Sequence, residues 1–154
     1  METSQLDVFN VIPDAVKLVG TVRTFRPETQ QLAEQRIRDV AAGVASALGA
    51  TAQLEYVRGY PATVNTPREA DFAARVGERI FGRQNVVREF DPTMGGEDFA
   101  YMLQARPGAY VLLGQGGMAG GCYLHNPNYD FNDEVIPLGA GYLAALAEDA
   151  LSRT

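Results

Sequence analysis

Residues 27–49 read PETQQLAEQRIRDVAAGVASALG, and this stretch determines how the first part of the chain folds. Its apolar residues recur every three or four positions, which is the spacing of one face of an α-helix. Pro27 suits a first helical turn and Gly49 suits a helix stop, so the segment predicts one long helix. The face consists of Leu32, Ile37, Val40, Ala41, Val44 and Leu48.

Strand patterns lie on both sides of this helix. Residues 15–23 are rich in β-branched side chains and follow a Pro13-Asp14 turn. Residues 50–60 alternate between apolar and polar side chains, which is the period of a half-buried strand. The first 60 residues therefore predict a strand, a helix and a strand.

A domain boundary is expected within residues 59–67. This stretch contains Pro61 and Pro67, and each proline disfavours helix in the residue before it. We predict one domain over residues 1–62 and a second over residues 63–154.

The second domain mixes helical and strand patterns, which indicates an α/β fold. A continuous apolar run is typical of a strand buried on both faces, and spacing of three or four is typical of a helix. The predicted elements are a helix at 71–81 ended by Gly82, a strand at 86–90, a short helix after Asp98, a buried strand at 109–113 and a helix at 137–152.

Composition excludes several classes of protein. The 154 residues carry 13 basic and 19 acidic side chains, a net charge of −6, with 46% hydrophobic residues, as in a globular protein. The acidic balance argues against nucleic-acid binding. No apolar run approaches the roughly 20 residues of a membrane span and the start lacks a signal-peptide pattern, so a cytoplasmic location is expected.

The single histidine, His125, follows a glycine-rich loop, where functional side chains are often presented. A lone histidine is more often structural or simply exposed. Cys122 lies three residues earlier and could supply a second ligand to a metal. Structural zinc normally takes four ligands, however, so a free thiol is the simpler interpretation of Cys122.

Two other groups of residues allow alternative interpretations. Gly95 and Gly96 precede two acids at a predicted helix start, where the acids could cap the helix or the free amides could approach an anion. Arg23 can bind a carboxylate bidentately and Asn10 can add a hydrogen bond, although the spacing alone favours a solvated arginine and a turn-capping asparagine.

Five segments taken together resemble one family, in the same order along the chain. The resemblance is to the metal-dependent amidohydrolases that include hippurate hydrolase, N-acyl-amino-acid amidohydrolases and indoleacetyl-amino-acid hydrolases, relatives of the aminoacylases and carboxypeptidases. The segments are NVIPD at 10–14, GTVRTF at 20–25, RGYP at 58–61, MGGEDF at 94–99 and LHNP at 124–127.

The resemblance implies a catalytic domain with two zinc or manganese ions and a ferredoxin-like lid that often dimerises. It implies that His125 is a metal ligand, that Asn10 and Arg23 bind the substrate carboxylate, and that Gly95 and Gly96 line the same pocket. The substrate would be an N-acyl amino acid, such as hippurate, or a small peptide.

The family's other metal ligands and its general-base glutamate lie upstream, in a Cys-Gly-His motif and a Glu-Glu pair that have no counterpart here. We therefore expect residues 1–62 to be a partial β-α-β lid, and residues 63–154 to be the C-terminal part of the catalytic domain. Such a fragment would be inactive alone and would form homo-oligomers. The alternative is a noncatalytic dimerisation or binding module derived from the family.

Overall fold

The computed structural model describes residues 2–3, 10–116 and 124–152. The chain divides into two compact units, Met1–Gly59 and Tyr60–Thr154. This division lies close to the boundary predicted after residue 62. The assignment of the two parts to a lid and a catalytic domain stays a prediction.

The first unit contains two short strands and one long helix. Strand β1 (Glu2–Thr3) pairs antiparallel with β2 (Val16–Lys17), with Thr3 opposite Val16. Helix α1 spans Pro27–Ala47, with Pro27 in its first turn. Gly49 follows it with a φ of 74°, a conformation that glycine adopts without steric cost. The helix predicted over 27–49 is therefore confirmed.

The segment that follows α1 is hydrogen-bonded to the helix through Arg58 and Glu34. The Arg58 guanidinium donates two hydrogen bonds to one carboxylate oxygen of Glu34, at 2.8 and 3.2 Å. These bonds lower the pKa of the Glu34 carboxyl. Leu54 and Tyr56 are half-buried while their sequence neighbours are exposed, which is the alternation expected of a strand. Residues 50–60 nevertheless carry no strand assignment, because a strand requires a hydrogen-bonded neighbour.

The second unit is helical in the residues that the structure describes. Helix α2 (Pro67–Phe81) starts before the predicted residue 71, because Pro67 opens it rather than belonging to the linker, and Gly82 ends it with a φ of 86°. The other two predicted helices are confirmed. They are α3 (Phe99–Ala105) and α4 (Ile136–Leu151), and 3-10 turns lie at Arg83–Asn85 and Asp133–Val135.

The core of this unit lies where α2 meets α4. The Tyr142 hydroxyl donates a 2.8 Å hydrogen bond to the Ala73 carbonyl, and its ring lies 5.6 Å from that of Phe81. Gly77 lies beside this contact, and a Cβ there would lie 3.6 Å from the Tyr142 ring, an ordinary contact distance. Burial raises the pKa of the Tyr142 phenol. The buried apolar residues of the described chain are Ala73, Val76, Ala100, Val135 and Tyr142.

The prediction that residues 109–113 form a strand buried on both faces is wrong. Leu112 is 65% exposed, and the described structure assigns no strand to 109–113 or 86–90. The Asn65 side-chain amide instead pairs with the backbone of Tyr110, accepting from its N–H at 2.8 Å and donating to its carbonyl at 2.9 Å. The backbone of Tyr110 is thus paired with a single side chain, whereas hydrogen bonds to a neighbouring strand were expected. The α/β strand content and the β-α-β lid remain predictions.

Among the described residues, the helices are each too short or too polar to cross a lipid bilayer.

Candidate functional site

The loop that holds Gly95 and Gly96 is tied to residue 110 through the acid that follows the glycines. The Tyr110 hydroxyl donates to the Glu97 carboxylate at 2.9 Å. This bond lowers the pKa of Glu97 and raises the pKa of Tyr110. Asp98 is the N-cap of α3 but makes no side-chain capping bond. The Glu97 contact therefore anchors the loop.

The two glycines lie beside aromatic and hydroxyl side chains. A Cβ on Gly96 would lie 3.5 Å from the Tyr60 ring, and one on Gly95 would lie 3.8 Å from the Thr93 hydroxyl. Tyr60 in turn meets Tyr101 edge to face at 5.9 Å. These are ordinary contact distances, so the protein itself does not require glycine here. Their predicted role in lining a substrate pocket stays a prediction.

His125 is exposed at a tight turn and has a φ of 71°. Left-handed backbone is uncommon for residues other than glycine, and histidine is among the types enriched there. The turn that follows is closed by a 2.9 Å bond from the Tyr129 N–H to the Asn126 carbonyl. A second 2.9 Å bond runs from the Asn128 N–H to the Asn126 side chain. Cys122, considered above as a partner ligand, lies outside the described residues.

Gln115 connects the chain before this turn to the chain after it. Its side-chain oxygen accepts from the Tyr129 hydroxyl at 3.1 Å and from the Asn132 N–H at 3.2 Å. Its backbone carbonyl accepts from the Asn132 side-chain amide at 2.8 Å. We call Gln115, Tyr129 and Asn132 the Gln115 clamp.

Asn10 and Arg23 lie in the first unit. Both are exposed, and the Arg23 guanidinium donates to the Thr21 hydroxyl at 3.1 Å. Gly95, Gly96 and His125 lie in the second unit. The predicted convergence of these five residues on one substrate therefore stays a prediction.

The described residues do not make a complete metal centre. Within 2–3, 10–116 and 124–152, no three histidine, cysteine, aspartate or glutamate side chains group closely enough to hold an ion. An exposed imidazole on a defined turn fits one ligand position. One imidazole is not enough to build the two-metal centre that the resemblance implies, because each metal requires several protein ligands.

Sequence reasoning missed the Gln115 clamp. One signal was present, because Asn132 precedes two acids and the apolar start of α4, a typical helix-capping pattern. The Asn132 side chain does accept from the Glu134 N–H at 3.1 Å. Nothing in the sequence pointed to Gln115, because its partners lie 14 and 17 residues away.

Comparison with known proteins identifies the family. Residues 5–149 match the model of peptidase family M20/M25/M40. The chain belongs to this family. The resemblance found in the sequence is thus confirmed, and M20 is a family of hydrolytic enzymes.

Three similar proteins illustrate the relationship. A putative amidohydrolase, YhaA, of Bacillus subtilis (strain 168) is 36% identical over 141 residues, which are 90% of this chain and 35% of that protein. Hippurate hydrolase of Campylobacter jejuni is 33% identical over 139 residues, 90% of this chain and 36% of the enzyme. A crystal structure of the Bacillus subtilis protein YXEP is also similar, and it is described as a dinuclear metal-binding M20 peptidase. The match covers all of this chain and 41% of the YXEP chain, with a TM-score of 0.76 and 32% identity.

The M20 fold is therefore shown for this chain. The chain spans about a third of the length of the curated relatives that it matches.

Proposed function

We propose that this M20 chain is the C-terminal part of a metal-dependent amidohydrolase that cleaves the amide bond of N-acyl amino acids or small peptides. The observation that carries the proposal is a family match over residues 5–149 in a chain about a third as long as its relatives. The relative named for hippurate hydrolysis supports an N-acyl amino acid as the substrate class.

In this proposal His125 supplies one ligand to a divalent metal, zinc or manganese. Its imidazole is exposed and its backbone lies in a turn closed by hydrogen bonds, which is how a ligand can be presented to a site built by other segments. The remaining ligands and the general-base glutamate would come from a part that the described residues do not contain. We therefore expect the 154-residue chain alone to be inactive.

The substrate carboxylate would be bound by Arg23 and Asn10. A guanidinium has five N–H donors, and the bond to Thr21 uses one of them, so Arg23 keeps donors for a bidentate contact. Gly95 and Gly96 would line the same pocket beside Tyr60. The cytoplasmic location expected from the composition stays a prediction.

The first test uses the purified chain. Incubated with hippurate and with Zn²⁺ or Mn²⁺, it should release no benzoate above a protein-free control, and metal analysis should find less than one tightly bound ion per chain. Metal-dependent hydrolysis by this chain would overturn the proposal that it is an inactive part.

The second test restores the missing part. In Campylobacter jejuni hippurate hydrolase, the region that this chain matches is replaced by this chain, and hippurate hydrolysis is measured. We expect activity in the chimera and its loss in a His125→Ala chimera. Loss of residues that merely support metal ligands costs 10–100-fold, so loss of a ligand should exceed about 100-fold.

The matched control is Leu124→Ala, the adjacent side chain, which is 69% exposed. It should leave the chimera's activity within about 2-fold of the parent, because small changes to exposed side chains have little effect on stability. Equal activity in the His125→Ala and parent chimeras would show that His125 is not a ligand.

A second candidate is a noncatalytic dimerisation or binding module, and helix α1 favours it. None of its residues is buried. Leu32, Val40 and Val44 on its apolar face are 56–62% exposed, and Leu48 at its C-cap is 80% exposed. An exposed apolar face of this kind is typical of a protein–protein interface. We therefore propose that the chain forms homo-oligomers. A monomer in sedimentation at micromolar concentration would contradict this, and an active chimera would favour the hydrolase.

A further inference from the structure

We infer that Gln115 is a positioning residue that holds His125 in its left-handed conformation through the Gln115 clamp. The inference rests on the proposed function, because the role of His125 as a metal ligand is what gives such a clamp its use. The geometry that supports it stands independently of any metal.

The side-chain oxygen of Gln115 uses its full capacity as an acceptor. A side-chain amide oxygen has two lone pairs, and that of Gln115 accepts from two donors, Tyr129 and Asn132. Asn132 donates through its backbone and side-chain nitrogens to Gln115, and its side-chain oxygen accepts from the Glu134 N–H. Its backbone carbonyl accepts from the Val135 N–H at 3.2 Å. Each contact therefore depends on a particular oxygen or nitrogen.

The clamp lies on both sides of His125 along the chain. Gln115 precedes the histidine, whereas Tyr129 and Asn132 follow it. The three clamp side chains are half-buried, while His125 is exposed. A left-handed conformation in a residue with a Cβ persists only where surrounding contacts enforce it. The turn that begins at the next residue is closed by the Tyr129 N–H, and the clamp in turn holds the Tyr129 side chain.

The purpose of such a clamp follows from the demands of metal ligation. A ligand must be held in its productive orientation by supporting hydrogen bonds, and a ligand on a loop is less precise than one on a helix or strand. The bond from Tyr129 to Gln115 compensates for this, because it holds the residue that closes the turn after His125. The clamp bonds involve no exposed side chain, so water competes with them less than it would at the surface.

The test is an NMR experiment on the isotopically labelled 154-residue chain, without metal or substrate. His125 is the single histidine, so selective isotopic labelling of histidine assigns its backbone signals without ambiguity. The readouts are its three-bond HN–Hα coupling, its Cα shift and its backbone order parameter. We expect the wild type to show positive φ and an order parameter of about 0.85.

Three variants separate the possible causes. Gln115→Met keeps the side-chain length but removes the acceptor, and the His125 order parameter should fall below about 0.6, with averaged couplings. Gln115→Glu keeps an acceptor oxygen and should retain the wild-type signals. Gln104→Met, on the exposed side of α3, is the matched control and should change nothing at His125.

An unchanged His125 in Gln115→Met would overturn the inference. Equal loss in Gln115→Met and Gln115→Glu would also overturn it, because the acceptor oxygen would then not be the cause. Should Gln115→Met unfold the unit, Tyr129→Phe decides, since it removes one hydroxyl, and it must loosen His125. An inactive chimera beside the expected NMR result would contradict the proposed function alone.

Discussion

Tyr142 joins α2 to α4 in the core of the second unit, and Tyr142→Phe tests how much its hydroxyl stabilises that unit. The change removes the 2.8 Å hydrogen bond to the Ala73 carbonyl and leaves the ring in contact with Phe81. The Ala73 carbonyl keeps its helical bond from the Gly77 N–H, so no acceptor is left unpaired. The cost is therefore that of one buried neutral hydrogen bond, about 1 kcal/mol.

Truncation at the same position should cost more. Tyr142→Ala also removes the ring from the contact between α2 and α4, and aromatic-to-alanine changes in cores cost about 3–5 kcal/mol. That is much of the 5–15 kcal/mol by which a typical domain is stable. We expect Tyr142→Ala to unfold at a much lower urea concentration than the wild type, and Tyr142→Phe to melt about 4–8 °C below the wild type.

The assay is urea and thermal unfolding followed by far-ultraviolet circular dichroism, with amide hydrogen exchange to report on α2 and α4 separately. Leu143→Ala is the control, because Leu143 neighbours Tyr142 in sequence but is 67% exposed. It should shift stability by less than about 0.5 kcal/mol. Identical stability of Tyr142→Phe and wild type, or equal loss in Leu143→Ala, would refute this description of the core.

Three further predictions follow from other contacts. Tyr110→Phe should raise the lowered pKa of Glu97 toward the ordinary carboxyl range, as measured by NMR titration. Because the folded-state pKa is lowered, this carboxylate's stabilisation is present above the ordinary carboxyl pKa and is lost as the pH falls through the lowered value. Gly82→Ala should cost about 1–3 kcal/mol in thermal unfolding, since φ is 86° and a Cβ would meet the Gln84 side chain. Val44→Lys should weaken self-association in sedimentation without lowering helix content, because Val44 is 56% exposed.

Each of these has an outcome that contradicts it. A Glu97 titration that does not move in Tyr110→Phe would show that the hydroxyl is not the main cause of the low pKa. Wild-type stability of Gly82→Ala would mean that alanine is accommodated where α2 ends. Unchanged association of Val44→Lys would place any interface away from the apolar face of α1.

The helices could be predicted because their determinants are local. The periodicity of α1, the proline at its start and the positive-φ glycine after it all lie within 23 consecutive residues, 27–49. The start of α2 was misplaced because Pro67 is compatible both with a linker and with a first helical turn. The strands could not be predicted in the same way, because a strand depends on a partner that is distant in sequence. Residues 50–60 show the predicted alternation of burial without a strand assignment.

The same difference between local and long-range determinants applies to the candidate site. The local pattern was sufficient to select His125, Gly95 and Gly96 as candidates, and the order of five short segments was sufficient to identify the family. Periodicity, caps and motifs are properties of neighbouring residues, so they can be recognised in the sequence without knowledge of the tertiary structure. The Gln115 clamp, the Glu97–Tyr110 bond and the pairing of Asn65 with Tyr110 emerged only in three dimensions. They join residues 13 to 45 positions apart, and hydrogen bonds over such separations depend on how the whole unit packs rather than on any local pattern.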